Sequence, residues 1–253
     1  MNRIPPGVIF ILLLQLWVRP TFSQNLIPPG KVYYDSPNET SVYDDFGMTI
    51  VSVVHGFDFL FVPDNVDALE SVARAHHYRF VINGSFFDGS AMHAGHSGWL
   101  RIYGKTYSPL RPDVQLTHIV RFDSISGKTS FINMDGFTPT NDDHSIEFQT
   151  GPLIIDSNRV ALPLIQHSIN GSGKYKRTLM AVTDNRGLFL ITVRNRVSLD
   201  SLANYLLSLS LFASHRLDVV NLDGGSSVAL FVQNHPELNY NEGSHLPMLI
   251  GVK

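Results

Sequence analysis

The sequence predicts an α+β fold: a single mixed α/β domain in which a mixed, twisted β-sheet carries two principal helices packed on it. Three observations predict it. Short apolar runs rich in Val, Ile and Phe recur along the chain, bounded by Gly, Pro, Asn and Asp. Two segments, 64–77 and 199–214, carry their apolar residues at helical spacing instead. Finally, 230 of the 253 residues follow residue 23, and 43% of the sequence is hydrophobic, which suits one domain with a sizeable core.

The elements follow in order. Arg3 precedes an almost wholly apolar run at 8–18, then Arg19, Pro20 and the small residues Thr21 and Ser23. That is the layout of a secretory signal peptide over 1–23, and the chain is expected to be exported (secreted, periplasmic or lumenal). The apolar run is 11 residues long, and a bilayer-spanning helix needs roughly 20. No stable membrane span is therefore expected after signal removal.

Residues 24–47, rich in Pro, Asn and Asp, read as a loose lead-in to a domain at 48–253. Strands are expected at 48–54 and 57–62. A helix at 64–77 can be capped by Asp64 or Asn65 and presents Val66, Leu69, Val72, Ala73 and His76 on one face. Strands follow at 79–83, 99–103, 116–122, 129–133 and 153–156. The runs 179–183 and 188–193 flank Asp184-Asn185-Arg186-Gly187, a hairpin turn.

The helix at 199–214 has Ser198 as a cap and Asp200 in its first turn, where a negative charge complements the helix dipole. Its leucines cover most of its circumference, so it is expected to be buried against a sheet. Strands at 217–222, 228–232 and 248–252 complete the chain.

Composition excludes several functions. With no cysteine, thiol catalysis and thiolate metal sites are impossible, and a core this large does not need disulfides. The net charge is −3, and −5 without Arg3 and Arg19 of the signal segment. No basic run offers the Lys and Arg that neutralise phosphates along a nucleic acid, so no nucleic-acid partner is expected.

Two helix–strand units echo each other. Helix 64–77 leads to a strand ending Asn83-Gly84-Ser85, and helix 199–214 to one ending Asn221-Leu222-Asp223-Gly224-Gly225-Ser226-Ser227. Ligands of open α/β sheets gather at the carboxyl ends of strands. The two strand ends are therefore expected to deliver Asn83 and Asp223 to one pocket.

Asp223 shares a strand face with Val219 and Asn221. An acid at the end of an apolar strand is partly desolvated, which moves its pKa towards a catalytic range. Gly224 and Gly225 permit positive φ and close approach of backbone to a ligand. The amides of 224–227 can form an anion-binding nest. The bland alternative is an ordinary Asp-Gly turn.

Asn83 can bind hydroxyls, with Gly84 at its turn, and Phe86 or Phe87 can wall a sugar face; the alternative is a tight turn with core phenylalanines. Arg177 can bind two phosphate oxygens at once and keeps its charge. Lys174 and Lys176 beside it read as a solvated basic turn. Gln149, ahead of Gly151, can line the pocket. His93-x-x-His96 in a Gly-rich loop brings a divalent metal into consideration, with Asp88 or Asp223 as oxygen ligands, but no third protein ligand is evident. No metal or other cofactor is assigned. His167 is a further phosphate candidate, otherwise a surface histidine. Asn38-Glu39-Thr40, Asn170-Gly171-Ser172 and Asn83-Gly84-Ser85 are glycosylation sequons.

These motifs resemble those of the phosphodiester glycosidases. Asn83-Gly84-Ser85-Phe86-Phe87 is similar to the family's early Asn-Gly-Gly-Phe-Phe, and Leu222-Asp223-Gly224-Gly225-Ser226 to its late Leu-Asp-Gly-Gly-Gly-Ser. Gly151-Pro152-Leu153 and Arg177-Thr178 match segments between them, in the family's order. Ser85 and Ser226 replace glycines, and Ala229 replaces a threonine common after the late motif.

The resemblance covers about residues 48–253. It implies cleavage of a sugar–phosphate diester at the anomeric carbon, typically of an N-acetylglucosamine-1-phospho group. On this reading Asp223 is base or nucleophile, Arg177 holds the phosphate, and Asp88 is a second carboxyl or binds a hydroxyl. Asn83, Gly84, Phe86, Gln149, Gly151, Asn221, Gly224, Gly225, Ser226 and Ser227 bind substrate. The substrate is then a phosphoglycan or other sugar phosphodiester. Two other readings use the same residues: a non-catalytic binding module for phosphorylated exopolysaccharide, and a metal-dependent phosphoesterase that cuts the P–O bond.

Overall fold

A computed structural model describes residues 31–34, 41–45, 47–53, 56–62, 69–88, 95–168, 171–185, 187–242 and 246–253. The expected signal peptide, His93, and the sequon asparagines Asn38 and Asn170 lie outside the described residues.

The fold corrects the α+β expectation. The chain is mostly β, and every strand pairing among the described residues is antiparallel. Among the described residues the helices are short, Leu69–Ala75, Leu162–His167 and Leu199–Ser208; the expected cap at Asp64 or Asn65 and Val66 lie outside the described residues. Local competition accounts for part of this. Ser208 Oγ donates to the Tyr205 carbonyl at 2.6 Å, a side-chain bond that competes with helix continuation. Leu209 then adopts an extended conformation. Leu209 and Phe212 remain buried, packed by turns, so the apolar pattern outlasts the helix. The other helix gives way to a turn at His77, whose φ is +59°.

The largest sheet runs in the order Lys31–Tyr34, Ser41–Asp45, Met48–Val53, Leu188–Val197, Tyr175–Thr183, Leu217–Asn221, Leu153–Asp156, Arg159–Val160. Its first two strands fall where a loose lead-in was expected, and Ser41–Asp45 continues the sheet by pairing with Met48–Val53. The hairpin at 184–187 forms, with Val182 opposite Leu188. Of the two five-stranded sheets, one centres on Ser145–Thr150 and the other on Phe80–Asn83.

Strand alternation sorts side chains to opposite faces of the large sheet. Met180, Val220 and Leu190 enter a core shared with Ile82 and Ile250 of one five-stranded sheet and Ile146 and Phe148 of the other. Leu179, Val219 and Ile191 pack instead with Leu202 and Leu206 of the Leu199–Ser208 helix. Asn221 and Asp223 continue the Val219 series, which sends them to the helix side at one end of the sheet.

Candidate active site

Strand register brings the central groups together. Leu179 faces Asn221 across the paired strands. The ladder continues one bond further, with Leu222 N–H donating to the Thr178 carbonyl at 2.8 Å. The same register places Arg177 opposite Asp223. Gly224 passes so close to this strand that a Cβ on it would lie 2.7 Å from the Lys176 carbonyl oxygen. Only glycine fits there without a backbone shift.

Asp223 lies on a cavity of about 390 Å³. It is partly accessible through that cavity and surrounded by protein elsewhere. Burial raises its pKa to about 6, and hydrogen bonds from the Ser227 side chain and the Gly224 amide oppose that rise. The Gly224 N–H lies 2.8 Å from Oδ1. Gly225, at φ +65°, opens the short 3-10 turn Gly225–Ser227. Within the expected amide nest, Gly224 N–H is taken by Asp223 and Ser227 N–H by the Gly224 carbonyl. That limits the nest to Gly225 and Ser226.

Arg177 is 3% exposed. It donates to the Gly173 carbonyl at 2.8 Å and the Val197 carbonyl at 3.3 Å, and its guanidinium stacks 5.2 Å from the Tyr175 ring centroid. Burial lowers its pKa to about 10, against a raising effect of Tyr175. It is therefore a cation at neutral pH.

Asn221 is also buried. Its Nδ2 donates to the Gly151 carbonyl at 3.1 Å, and its Oδ1 has no hydrogen-bond partner among the described residues. Gly151 has φ +152°, and a Cβ there would lie 2.5 Å from the Gln115 carbonyl.

The cavity thus brings together nine expected residues: Asp223, Arg177, Phe86, Gly151, Asn221, Gly224, Gly225, Ser226 and Ser227. Phe87, considered beside Phe86, lines it too.

Four expected residues do not line it. Asn83 is 1% exposed and its amide is committed to protein. Nδ2 donates to the Asp223 carbonyl at 2.8 Å, and Oδ1 accepts from Thr178 Oγ1 at 2.6 Å and Ala229 N–H at 3.1 Å. The two strand ends do meet, but Asn83 works there as a clip and not as a hydroxyl binder. Gly84 is buried with it, and its carbonyl accepts from Asp223 N–H.

Gln149 is fully buried. Its Oε1 accepts from the Trp99 and Arg111 amides, and its Nε2 donates to the Arg111 and Leu116 carbonyls. Asp88 is 62% exposed at its side chain and ion-paired with Arg111. The second carboxyl expected at the site is thus turned to the surface.

Gln115, Pro152, Ser168 and Tyr175 also line the cavity and were missed in sequence. Tyr175 had a readable signal, since it sits two residues before Arg177 on the same strand face. Gln115 and Ser168 reach the site through loops, and no local pattern marks them.

His96 is buried, with its Nε2 against the Trp99 carbonyl at 3.0 Å, and burial lowers its pKa to about 4. Lys176 is paired with Glu242 and Tyr240. His167 is bonded to the Pro163 carbonyl within its own short helix. No group of three or more His, Asp or Glu converges as a metal set among the described residues.

A family profile described as phosphodiester glycosidase matches residues 76–253. The chain belongs to the phosphodiester glycosidase family. No curated protein matches it.

Solved structures share the fold. A hypothetical protein from Synechocystis superposes with TM-score 0.62 at 15% identity, covering 89% of this chain and 64% of that one. This phosphodiester glycosidase homologue thus spans under two thirds of that protein's length. The catalytic domain of zebrafish N-acetylglucosamine-1-phosphodiester alpha-N-acetylglucosaminidase, auto-inhibited by its pro-peptide, gives TM-score 0.61 at 14% identity, covering 88% and 81%. At these identities the likeness is one of fold.

Proposed function

We propose that this phosphodiester glycosidase homologue is an exported hydrolase that cleaves a sugar-1-phosphodiester of the N-acetylglucosamine-1-phosphate type at its anomeric carbon. Water adds to the sugar, the bond from that carbon to the phosphate oxygen breaks, and the phosphomonoester leaves with its oxygen. The observation that carries the reading is that one cavity is lined both by Asp223, its pKa raised by burial to about 6, and by the buried cation Arg177.

Glycosidases ordinarily use two carboxyls, one of them as acid. A phosphate is already a good leaving group and needs little protonation. Arg177 and the amides of Gly225 and Ser226 stabilise its charge in place of an acid. One carboxylate then suffices, in keeping with the position of Asp88 away from the cavity. Asp223 acts as base or nucleophile, a role only its ionised form can fill. Export is inferred from the signal-peptide layout of residues 1–23. Among the described residues no helix is long and apolar enough to cross a membrane.

The test is release of reducing sugar from a synthetic N-acetylglucosamine-1-phosphodiester. Asp223→Asn is expected to lose at least about 100-fold in turnover, the scale for a catalytic acid or base. Near-normal turnover by the folded variant overturns the mechanism. In ¹⁸O-labelled water the label is expected in the sugar, and label in the phosphate indicates P–O cleavage instead. Binding by the unsubstituted protein without any release supports a non-catalytic module.

A further inference from the structure

Residues 109–117 join the Lys105–Ser108 strand to the His118–Asp123 strand without a helix or strand of their own. Arg111, Pro112 and Val114 are exposed. The backbone groups of such a connection ordinarily turn to water. Here one buried side chain takes the place of water. Gln149 is 0% exposed. Its Oε1 accepts from the Arg111 N–H at 3.1 Å, and its Nε2 donates to the Arg111 carbonyl at 2.6 Å and the Leu116 carbonyl at 2.9 Å. A fourth bond, from the Trp99 N–H to Oε1 at 2.9 Å, anchors the same amide to the chain before the Leu100–Ile102 strand. Both N–H groups and both oxygen lone pairs of the amide are then used. Gly98, at φ +91°, makes the room: a Cβ there would lie 2.3 Å from Oε1.

The two residues that Gln149 ties down, Arg111 and Leu116, bracket Gln115, which lines the Asp223 cavity. Gln115 is fixed from within the strap too. Its N–H donates to Asp113 Oδ1 at 2.8 Å. Its carbonyl packs on Gly151, where a Cβ would come within 2.5 Å of it. The ion pair of Arg111 with Asp88 ties the outer side of the strap to the Phe87–Asp88 strand. Asp223 and Arg177 stand on other strands and touch none of these bonds.

We propose that Gln149 is a positioning residue: it holds the strap 111–116 against the cavity and so fixes Gln115, whose side chain contacts the bound sugar phosphodiester. The identity of that ligand rests on the phosphodiester reading above; the holding of the strap does not. Because the strap carries neither Asp223 nor Arg177, Gln149 acts on substrate binding and leaves the chemical step alone.

Hydrogen exchange and steady-state kinetics on the phosphodiester test this together. Gln149→Leu keeps the bulk and removes all four side-chain bonds. In the folded variant, amide exchange is expected to rise about tenfold or more at 111–117, with the Leu217–Asn221 amides unchanged. KM is expected to rise about fivefold, the scale of one neutral hydrogen bond, with kcat within about twofold. Gln115→Ala is expected to raise KM about as much on its own and to add nothing in the Gln149→Leu background. Where Gln149→Leu does not fold, Gln149→Asn, which keeps the amide but falls one methylene short of the strap, is expected to give the same pattern. Exchange that is unchanged, or raised alike across the chain, overturns the role of Gln149 in holding the strap. Additive effects of the two substitutions, or a fall in kcat with KM unchanged, overturn its action through Gln115. If the unsubstituted protein cleaves no phosphodiester, that reading fails by itself, and exchange at 111–117 still decides whether Gln149 holds the strap.

Discussion

In the proposed mechanism, Asp223 carries a conflict between stability and function. Its folded pKa, about 6, stands above the ordinary 3.8 because burial disfavours the charge. The folded state therefore binds the proton more tightly than the unfolded state. The associated stability is fully present below about pH 4 and is lost as pH rises through 6. Two pKa units correspond to about 3 kcal/mol at most. Asp223→Asn, which carries no charge, is expected to be the more stable protein at pH 7–8 by up to about 3 kcal/mol, with the gap closing towards pH 4. Urea denaturation across this pH range measures it, and an equal gap at both ends refutes the assignment. If Asp223 is the base or nucleophile as proposed, kcat/KM is expected to rise with pH through about 6.

Arg177 makes a second residue-scale case. Arg177→Lys keeps a charge but loses the planar fork that reaches Gly173, Val197 and a phosphate together. A loss of about 10- to 100-fold in kcat/KM is expected from one or two charge-assisted hydrogen bonds, measured by steady-state kinetics on the phosphodiester.

Among elements, the segment after the Leu217–Asn221 strand is the most constrained. Gly224→Ala drives a methyl against the Lys176 carbonyl, backbone against backbone, so Asp223 must move. We expect a stability loss of about 1–3 kcal/mol, typical of overpacking, and an activity loss larger than the stability change explains. Thermal unfolding and turnover on the same preparation separate the two. This element was legible in sequence because its chemistry is local: an apolar run, an acid, then glycines.

The burial of Ser145–Thr150 on both faces was not legible. The segment reads Ser-Ile-Glu-Phe-Gln-Thr, and all six residues are buried. Ile146 and Phe148 enter the shared core, while Glu147 on the opposite face meets Arg121 and Trp99 Nε1. Its alternation of Ile146 and Phe148 with polar residues is a strand pattern, but that pattern predicts a solvated polar face, and the partners that bury this one come from distant segments. The same holds for Gln115 and Ser168 at the cavity. The overestimated end of the 199–214 helix has a different origin. Leu209 and Phe212 are buried by turns, and helical spacing does not separate a buried turn from a buried helix.

Across the whole molecule, Asn83 joins separate parts. It ends a strand of one five-stranded sheet, yet its amide bonds the Asp223 carbonyl, Thr178 of the large sheet and the Ala229 N–H. One side chain thus couples two sheets beside the cavity that Asp223 lines. Asn83→Ala leaves three buried groups without partners, at about 1–3 kcal/mol each before relaxation, and the loss is expected to be independent of pH. Asn83→Asp differs. A protonated carboxyl can donate to the Asp223 carbonyl and accept from Thr178 and Ala229, as the amide does. An ionised one sets two oxygens against each other in a buried space. Its folded pKa is therefore raised, and its stability is present at low pH and lost as pH rises. Asn83→Asp is expected to lie closer to the unsubstituted protein than Asn83→Ala does at pH 4, and to be destabilised by several kcal/mol (about 3–5) at pH 8, the scale for an uncompensated buried charge. Denaturation of both variants at the two pH values measures this. A pH-independent Asn83→Asp means that the amide does not bridge the sheets as the hydrogen bonds place it.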